Sequence, residues 1–205
     1  MAPGFLIALE GVDGSGKSTQ AGLLAATLKK DGHPVVLTRE PTNGPAGQRL
    51  RSYLTGPSRH LSPEEELSLF MEDRRVHVSQ LIAPSLAEGR IVISDRYYYS
   101  SVAYQGALGL DPDAILAANQ SFAPAPDLVF ILVLPVAEAM RRLARKSKEA
   151  RQVSESFPYL KQVEAIYAGL RDPRLRRLDA SRPPLTVHAA ILKETRRALK
   201  EAAAA

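Results

Sequence analysis

An α/β fold, with a five-stranded parallel sheet flanked by helices, is predicted by two features of the sequence. Short, wholly apolar runs recur along the chain, as strands buried on both faces require. Segments of helical spacing separate them, the alternation that builds a parallel sheet with helices on either side. Residues 5–9 form the first apolar run. Leu23, Leu24 and Leu28 share one face of a helix over 17–30, and Asp31-Gly32 ends it. Residues 35–37 are the second strand. After Pro63, the acidic residues Glu64, Glu65 and Glu66 suit the positive end of a helix, which runs towards Glu88-Gly89 with Leu67, Phe70, Met71, Arg74 and Val78 on related faces. Residues 91–93 and 128–134 are the third and fourth strands, and 177–179 a weaker fifth. Further helices are expected over 98–105, 112–120, 136–146, 155–170 and 186–202, a loop over 122–126 and a tail over 202–205.

Composition narrows the class. A chain of 205 residues with 45% apolar and 24% charged residues is neither disordered nor fibrous. It suits a single domain over 1–205. With no cysteine, disulfide scaffolds, Cys-ligated zinc, iron–sulfur clusters and thiol nucleophiles are excluded. The longest apolar run, 128–134, is too short to cross a bilayer, and no basic stretch precedes the run at 5–9, as a signal peptide needs. A cytoplasmic protein with no membrane partner is expected. The net charge is 27 − 22 = +5. Arg141, Arg142, Arg145, Lys146, Lys148 and Arg151, against Glu149, equal that excess in one stretch. Such a run is either a solvated helix face or a local anion trap; a nucleic-acid partner is not expected, because that basic surface would be spread more widely.

Gly11-Val12-Asp13-Gly14-Ser15-Gly16-Lys17-Ser18 fits the phosphate-binding pattern G-x-x-x-x-G-K-[ST], between the first strand and the first helix as its mechanism demands. Its glycines let backbone N–H groups face phosphate oxygens, and the helix adds its positive end. Lys17 would reach the β- and γ-phosphates, and the Ser18 hydroxyl would take one position on Mg²⁺. A third glycine that a dinucleotide fold would need is absent. A guanine-reading Asn-Lys-x-Asp is absent too, since neither Asn43 nor Asn119 begins one, which argues against a GTP switch. A small-molecule kinase needs cations for a second anion, and strand ends supply them: Arg39 after the second strand, Asp95-Arg96 after the third. Asp95 suits the water shell of Mg²⁺ and Arg96 a phosphate. A phosphate monoester acceptor, with its second pKa near ~6, is already anionic at neutral pH and needs no general base. The basic stretch then reads as a lid near 145–153, with Arg151 acting on the transferred phosphoryl group.

These residues resemble the thymidylate kinases over nearly the whole chain. The resemblance is carried by 9–19, by Thr38-Arg39-Glu40-Pro41, by Leu69-Phe70 with Asp73-Arg74, by Asp95-Arg96-Tyr97 followed by 100–106, and by Asp179-Ala180-Ser181. It implies ATP as donor, dTMP as acceptor, Mg²⁺ as cofactor and a homodimer through the helix around 64–88. ATP would bind residues 11–19, including Thr19, and Ala180. Asp13 would accept from the deoxyribose 3′-hydroxyl. Phe70 would stack on thymine, Arg74 would donate to its O4, Ser101 would make a polar contact near the base, and Gln105 belongs to the same acceptor set. Tyr104 would crowd the 2′ position, and Arg39 and Arg96 would hold the acceptor phosphate. Family members with an arginine inside the loop have it at Gly14, so here the lid is expected to carry that charge. Ala150 precedes Arg151 where the common lid pattern has Asp. Thr42-Asn43-Gly44 stands where the family often has two glycines and a threonine, and the Glu40–Pro41 bond is expected to be cis. Alternatives are a deoxynucleoside kinase, with Glu40 as base, and a regulator that binds ATP and hydrolyses it slowly.

Overall fold

The computed structural model describes residues 4–56, 60–146 and 156–204. Among them the sheet has five strands, all parallel: β1 (Phe5–Glu10), β2 (Val35–Arg39), β3 (Ile91–Asp95), β4 (Leu128–Val133) and β5 (Leu175–Asp179). Their order across the sheet is β2-β3-β1-β4-β5. Register pairs Leu9 with Asp95 and with Phe130, and Arg39 with Asp95, so the carboxyl ends of β1, β2 and β3 stand side by side. The apolar run of β1 is fully buried, as is most of β4. Leu24 and Leu28 from helix α1 (Lys17–Lys30) join the same core as Tyr97, Tyr98 and Tyr99, which follow β3.

The sequence reading omits one helix, α2 (Pro45–Leu54). Pro45 and Gly47 suggest a loop, yet Pro45 sits in the first turn, where its missing N–H costs nothing. Gly47 is required for another reason: a Cβ there would stand 2.1 Å from the Thr42 carbonyl oxygen. The long helix expected over 64–88 is also interrupted. Helix α3 (Pro63–His77) gives way to a π turn at Val78–Ile82 before helix α4 (Ala83–Ala87). The Ala83 N–H donates to Val78 O, five residues back, and this wider turn immediately precedes Pro84. The proline has no N–H and its ring disrupts ordinary α packing of the preceding turn. At its other end α3 is closed by a capping box: Ser62 Oγ accepts from the Glu65 N–H, and Glu65 Oε2 from the Ser62 N–H.

The remaining helices lie close to expectation: α5 (Tyr98–Gly106), α6 (Pro112–Gln120), α7 (Val136–Lys146), α8 (Phe157–Gly169) and α9 (Pro184–Ala204). The Glu40–Pro41 peptide is cis. Arg151 and most of the expected lid lie outside the described residues.

Candidate active site

The loop between β1 and α1 wraps tightly because glycine permits it. Gly14 has φ 83°, and a Cβ there would lie 2.6 Å from the carbonyl oxygen of Ala139 on α7. A larger residue at this position would meet that backbone, so cations at this mouth must come from other elements. Arg142 and Arg145 of α7 do line it. Lys17 Nζ donates to the carbonyls of Gly11 (2.9 Å) and Val12 (3.0 Å) and lies 3.9 Å from Asp13. Burial, reinforced by Arg96, pushes the Lys17 ammonium down to about 8, against the pull of Asp13 and Asp95.

The end of β3 faces this loop. Ser18 Oγ donates to Asp95 Oδ2 at 2.5 Å. Arg96 adopts φ 73°, a left-handed conformation uncommon outside glycine. Its Nη2 donates to Asp13 Oδ1 at 2.5 Å and its Nη1 to Ser100 Oγ at 2.9 Å. Tyr104 completes the group: its hydroxyl donates to Asp13 Oδ2 (3.2 Å) and accepts from the Asp13 N–H (3.1 Å). Burial alone would raise the Asp13 carboxyl, but Arg96 and Lys17 outweigh it and hold Asp13 below its ordinary value.

Two clefts open here. The larger has a volume of about 630 Å³ and is lined by residues 13–19 of the loop and helix start, by Ala180, and by Arg39, Arg51, Arg142 and Arg182. The smaller has a volume of about 70 Å³ and is lined by Phe70, Ser101, Tyr104, Gln105, Leu54 and Glu66 among others. Asp13, Arg96, Pro41 and Leu54 belong to both, so the clefts meet at the Asp13–Arg96 pair. Gly11 and Val12 do not line either one; they face a cavity behind the loop with Leu132 and Tyr167. Asp95 lines the larger cleft beside Ser18.

Arg74 lies deeper than expected, at 1% exposure. All five of its N–H directions are used within the protein. Nε and Nη2 donate to Glu40 Oε2 (2.9 and 2.6 Å), Nη1 to Asn119 Oδ1 (2.5 Å), and both Nη atoms to Ser101 Oγ (3.2 Å). Of these partners Ser101 lines the smaller cleft. His77 Nδ1 stands 3.0 Å from Glu40 Oε1, and its Nε2 stands 2.7 Å from Thr38 Oγ1. Gln105 donates through Nε2 to Glu66 Oε1 at 2.9 Å, which fixes its amide; its buried Oε1 has no hydrogen-bond partner among the described residues.

Arg51, Arg182, Ser100 and Glu66 also line the clefts, and no motif marks them as site residues: Glu66 reads from the sequence only as a helix-start acid, and Ser100 only as part of the segment that carries the family resemblance. The loop after β2 is held by Asp73, which accepts from the N–H (2.8 Å) and hydroxyl (2.6 Å) of Thr42, and by Arg51 donating to Pro41 O.

A parallel sheet with a phosphate-binding loop at the carboxyl end of its central strand, opening onto an arginine-lined cleft and a second, aromatic one, defines a P-loop nucleotide kinase. Comparison with known proteins sharpens this. The thymidylate kinase family profile matches residues 9–191. Thymidylate kinase of Desulfotalea psychrophila is 43% identical over 200 residues, 98% of this chain and 98% of that protein. That of Xanthomonas campestris pv. campestris is 50% identical over 179 residues, 87% of this chain and 77% of its own. That of Akkermansia muciniphila is 46% identical over 178 residues, 86% and 84% respectively. The chain belongs to the thymidylate kinase family.

Proposed function

We propose that the protein transfers the terminal phosphoryl group of ATP to dTMP, giving ADP and dTDP, within one kinase domain over 1–205 whose lid is the segment about 145–153. The observation that carries this reading is the meeting of the two clefts at Asp13 and Arg96. A triphosphate on the loop side and a monophosphate on the aromatic side would present their phosphates to each other there. The acceptor phosphate is ionised at neutral pH, so catalysis consists of alignment and charge stabilisation. Lys17 serves the donor phosphates, Arg39 and Arg96 the acceptor phosphate, and Arg151 the group in flight.

Ser18 Oγ and Asp95 Oδ2 are neighbouring oxygen donors at the loop mouth, the ligand type that Mg²⁺ takes alongside phosphate oxygens and water. These residues would hold the ion, which supplies charge neutralisation between the phosphates. Among the described residues no three His, Cys, Asp or Glu side chains cluster as a metal cage, and a phosphate-borne ion does not call for one.

Phe70 supplies the stacking face for the base, and the unpartnered Gln105 Oε1 suits the thymine N3–H. The deoxynucleoside kinase alternative is disfavoured by Glu40. Burial raises that carboxyl, but Arg74 and His77 outweigh it and hold it below its ordinary value, and both oxygens are engaged, so it is a poor general base. We further propose a cytoplasmic homodimer through 64–88, a segment on which Val76 is 38% exposed; a monomer mass by sedimentation would remove the dimer. No described helix is long and apolar enough to cross a membrane.

ADP release should be stimulated by dTMP. Stimulation by thymidine alone would favour the alternative, and turnover without acceptor would favour a hydrolysing regulator. Tyr104→Ala should improve the relative use of a ribonucleotide acceptor by roughly tenfold, equivalent to about 1.4 kcal/mol. Tyr104→Phe keeps the ring, loses the bonds to Asp13, and should retain the deoxy preference. An unaltered preference in the alanine variant rejects the steric role.

A further inference from the structure

Arg96 occupies an unfavourable backbone region, and the structure contains what holds it there. Its N–H donates to Leu9 O (3.0 Å), and its carbonyl accepts from Ser94 Oγ (2.6 Å). The next peptide N–H, that of Tyr97, donates to Glu10 Oε1 at 2.9 Å. Glu10 is the last residue of β1, wholly buried, and it lines neither nucleotide cleft. Its second oxygen accepts from Ser100 Oγ (2.6 Å) and from the Tyr167 hydroxyl (3.0 Å). Ser100 is also the acceptor for Arg96 Nη1 at 2.9 Å. One carboxylate therefore grips the peptide that follows Arg96 and, through Ser100, the guanidinium itself.

We propose that Glu10 is a positioning residue that locks Arg96 in its left-handed, phosphate-facing conformation without meeting either nucleotide. Burying a carboxylate is costly unless it is fully hydrogen-bonded. An amide at this position could not do the same work. Glutamine has one acceptor oxygen, whereas three donors from β3's end, α5 and α8 converge on two oxygens here. The Glu10 carboxyl is raised by its burial, a cost that the hydrogen bonds from Ser100 and Tyr97 and the field of Arg96 offset only in part. Glu10 also directly precedes Gly11, so the residue that opens the donor loop holds the acceptor arginine. A link through Tyr167 reaches α8, the helix that begins just beyond the proposed lid segment.

This inference rests on the proposed function, because it assigns Arg96 to the acceptor phosphate. The test compares binding of dTMP with binding of thymidine, which lacks that phosphate, by calorimetry. Glu10→Gln should weaken dTMP by about tenfold or more, the scale of one charged hydrogen bond, and leave thymidine within about twofold. Equal weakening of both ligands, or no change in either, overturns the proposal, since a merely structural role would not single out the phosphate. Tyr167→Phe removes one donor to Glu10 and keeps the question open to refutation if the first variant does not fold. It should weaken dTMP by roughly threefold with thymidine unchanged, and equal effects again overturn the proposal. A wild-type protein without dTMP-dependent ADP release would reject the proposed function instead; an active wild type whose ligand preference Glu10→Gln and Tyr167→Phe leave untouched rejects only the role of Glu10.

Discussion

Alanine at position 17 is expected to lower kcat for dTMP-dependent ADP release by about 10²–10³-fold, the scale on which removing one preorganised charge from a transition state acts. Lys17 is held at the loop mouth by the Gly11 and Val12 carbonyls, beside Asp13 and within the field of Arg96. No other ammonium lines the larger cleft among the described residues, and the arginines there sit on β2, α2, α7 and other elements. A variant within tenfold of wild type would show that another group carries the donor phosphates.

The same lysine predicts a conflict between stability and activity. Its folded value of about 8 lies below the ordinary 10.5, so between these values the unfolded chain binds more protons. Its contribution to stability therefore rises with pH across that window. Below about pH 8 the folded protein carries a desolvated cation, at a cost of about 3 kcal/mol. Lys17→Met should raise Tm at pH 7 while lowering kcat by the same order as the alanine variant, and the gain should vanish towards pH 10.5. ATP binding, which favours the ammonium form, should take up a proton near pH 8 and weaken as pH rises through it. A lower Tm at pH 7 would mean that the two carbonyl contacts outweigh desolvation.

Features of this fold that depend on spacing along the chain are legible in it. The apolar run of β1, the glycines at 11, 14 and 16 and the helix after Lys17 form one local pattern, and the architecture follows from its repetition. Helix α2 is not legible, because Pro45 and Gly47 speak against a helix until Thr42 is seen against Gly47. The π turn is likewise hidden, since periodicity cannot show where a helix makes room for Pro84. Site residues divide the same way. Arg39 and Arg96 follow from their places beyond apolar strands. The partners of Arg74 do not, because Glu40 and Asn119 stand 34 and 45 residues away and meet it only in three dimensions.

That burial changes what Arg74 is expected to do. Arg74→Ala should cost about 3–5 kcal/mol of stability, because it leaves the Glu40 carboxylate buried with its principal counter-ion gone. In the wild type Glu40 lies below 4.5, so the pair's contribution is present above that value and is lost as pH falls through the folded one. In the variant, burial dominates and raises Glu40. The stability difference measured by denaturation should therefore be largest near neutral pH and shrink towards pH 4. Pairing the change with Glu40→Gln should recover at least ~1 kcal/mol relative to the sum of the single losses. Base selection should relax as well. The contacts to Ser101 are the longest that Arg74 makes and the ones nearest the smaller cleft, so the thymine O4 would compete for that edge. Cytosine carries an amino donor there, which an arginine rejects. The ratio of kcat/KM for dTMP over dCMP should fall roughly ten- to a hundredfold. Stability lost with discrimination unchanged would make Arg74 a pillar of the β2–α3 junction alone and leave base selection to Gln105.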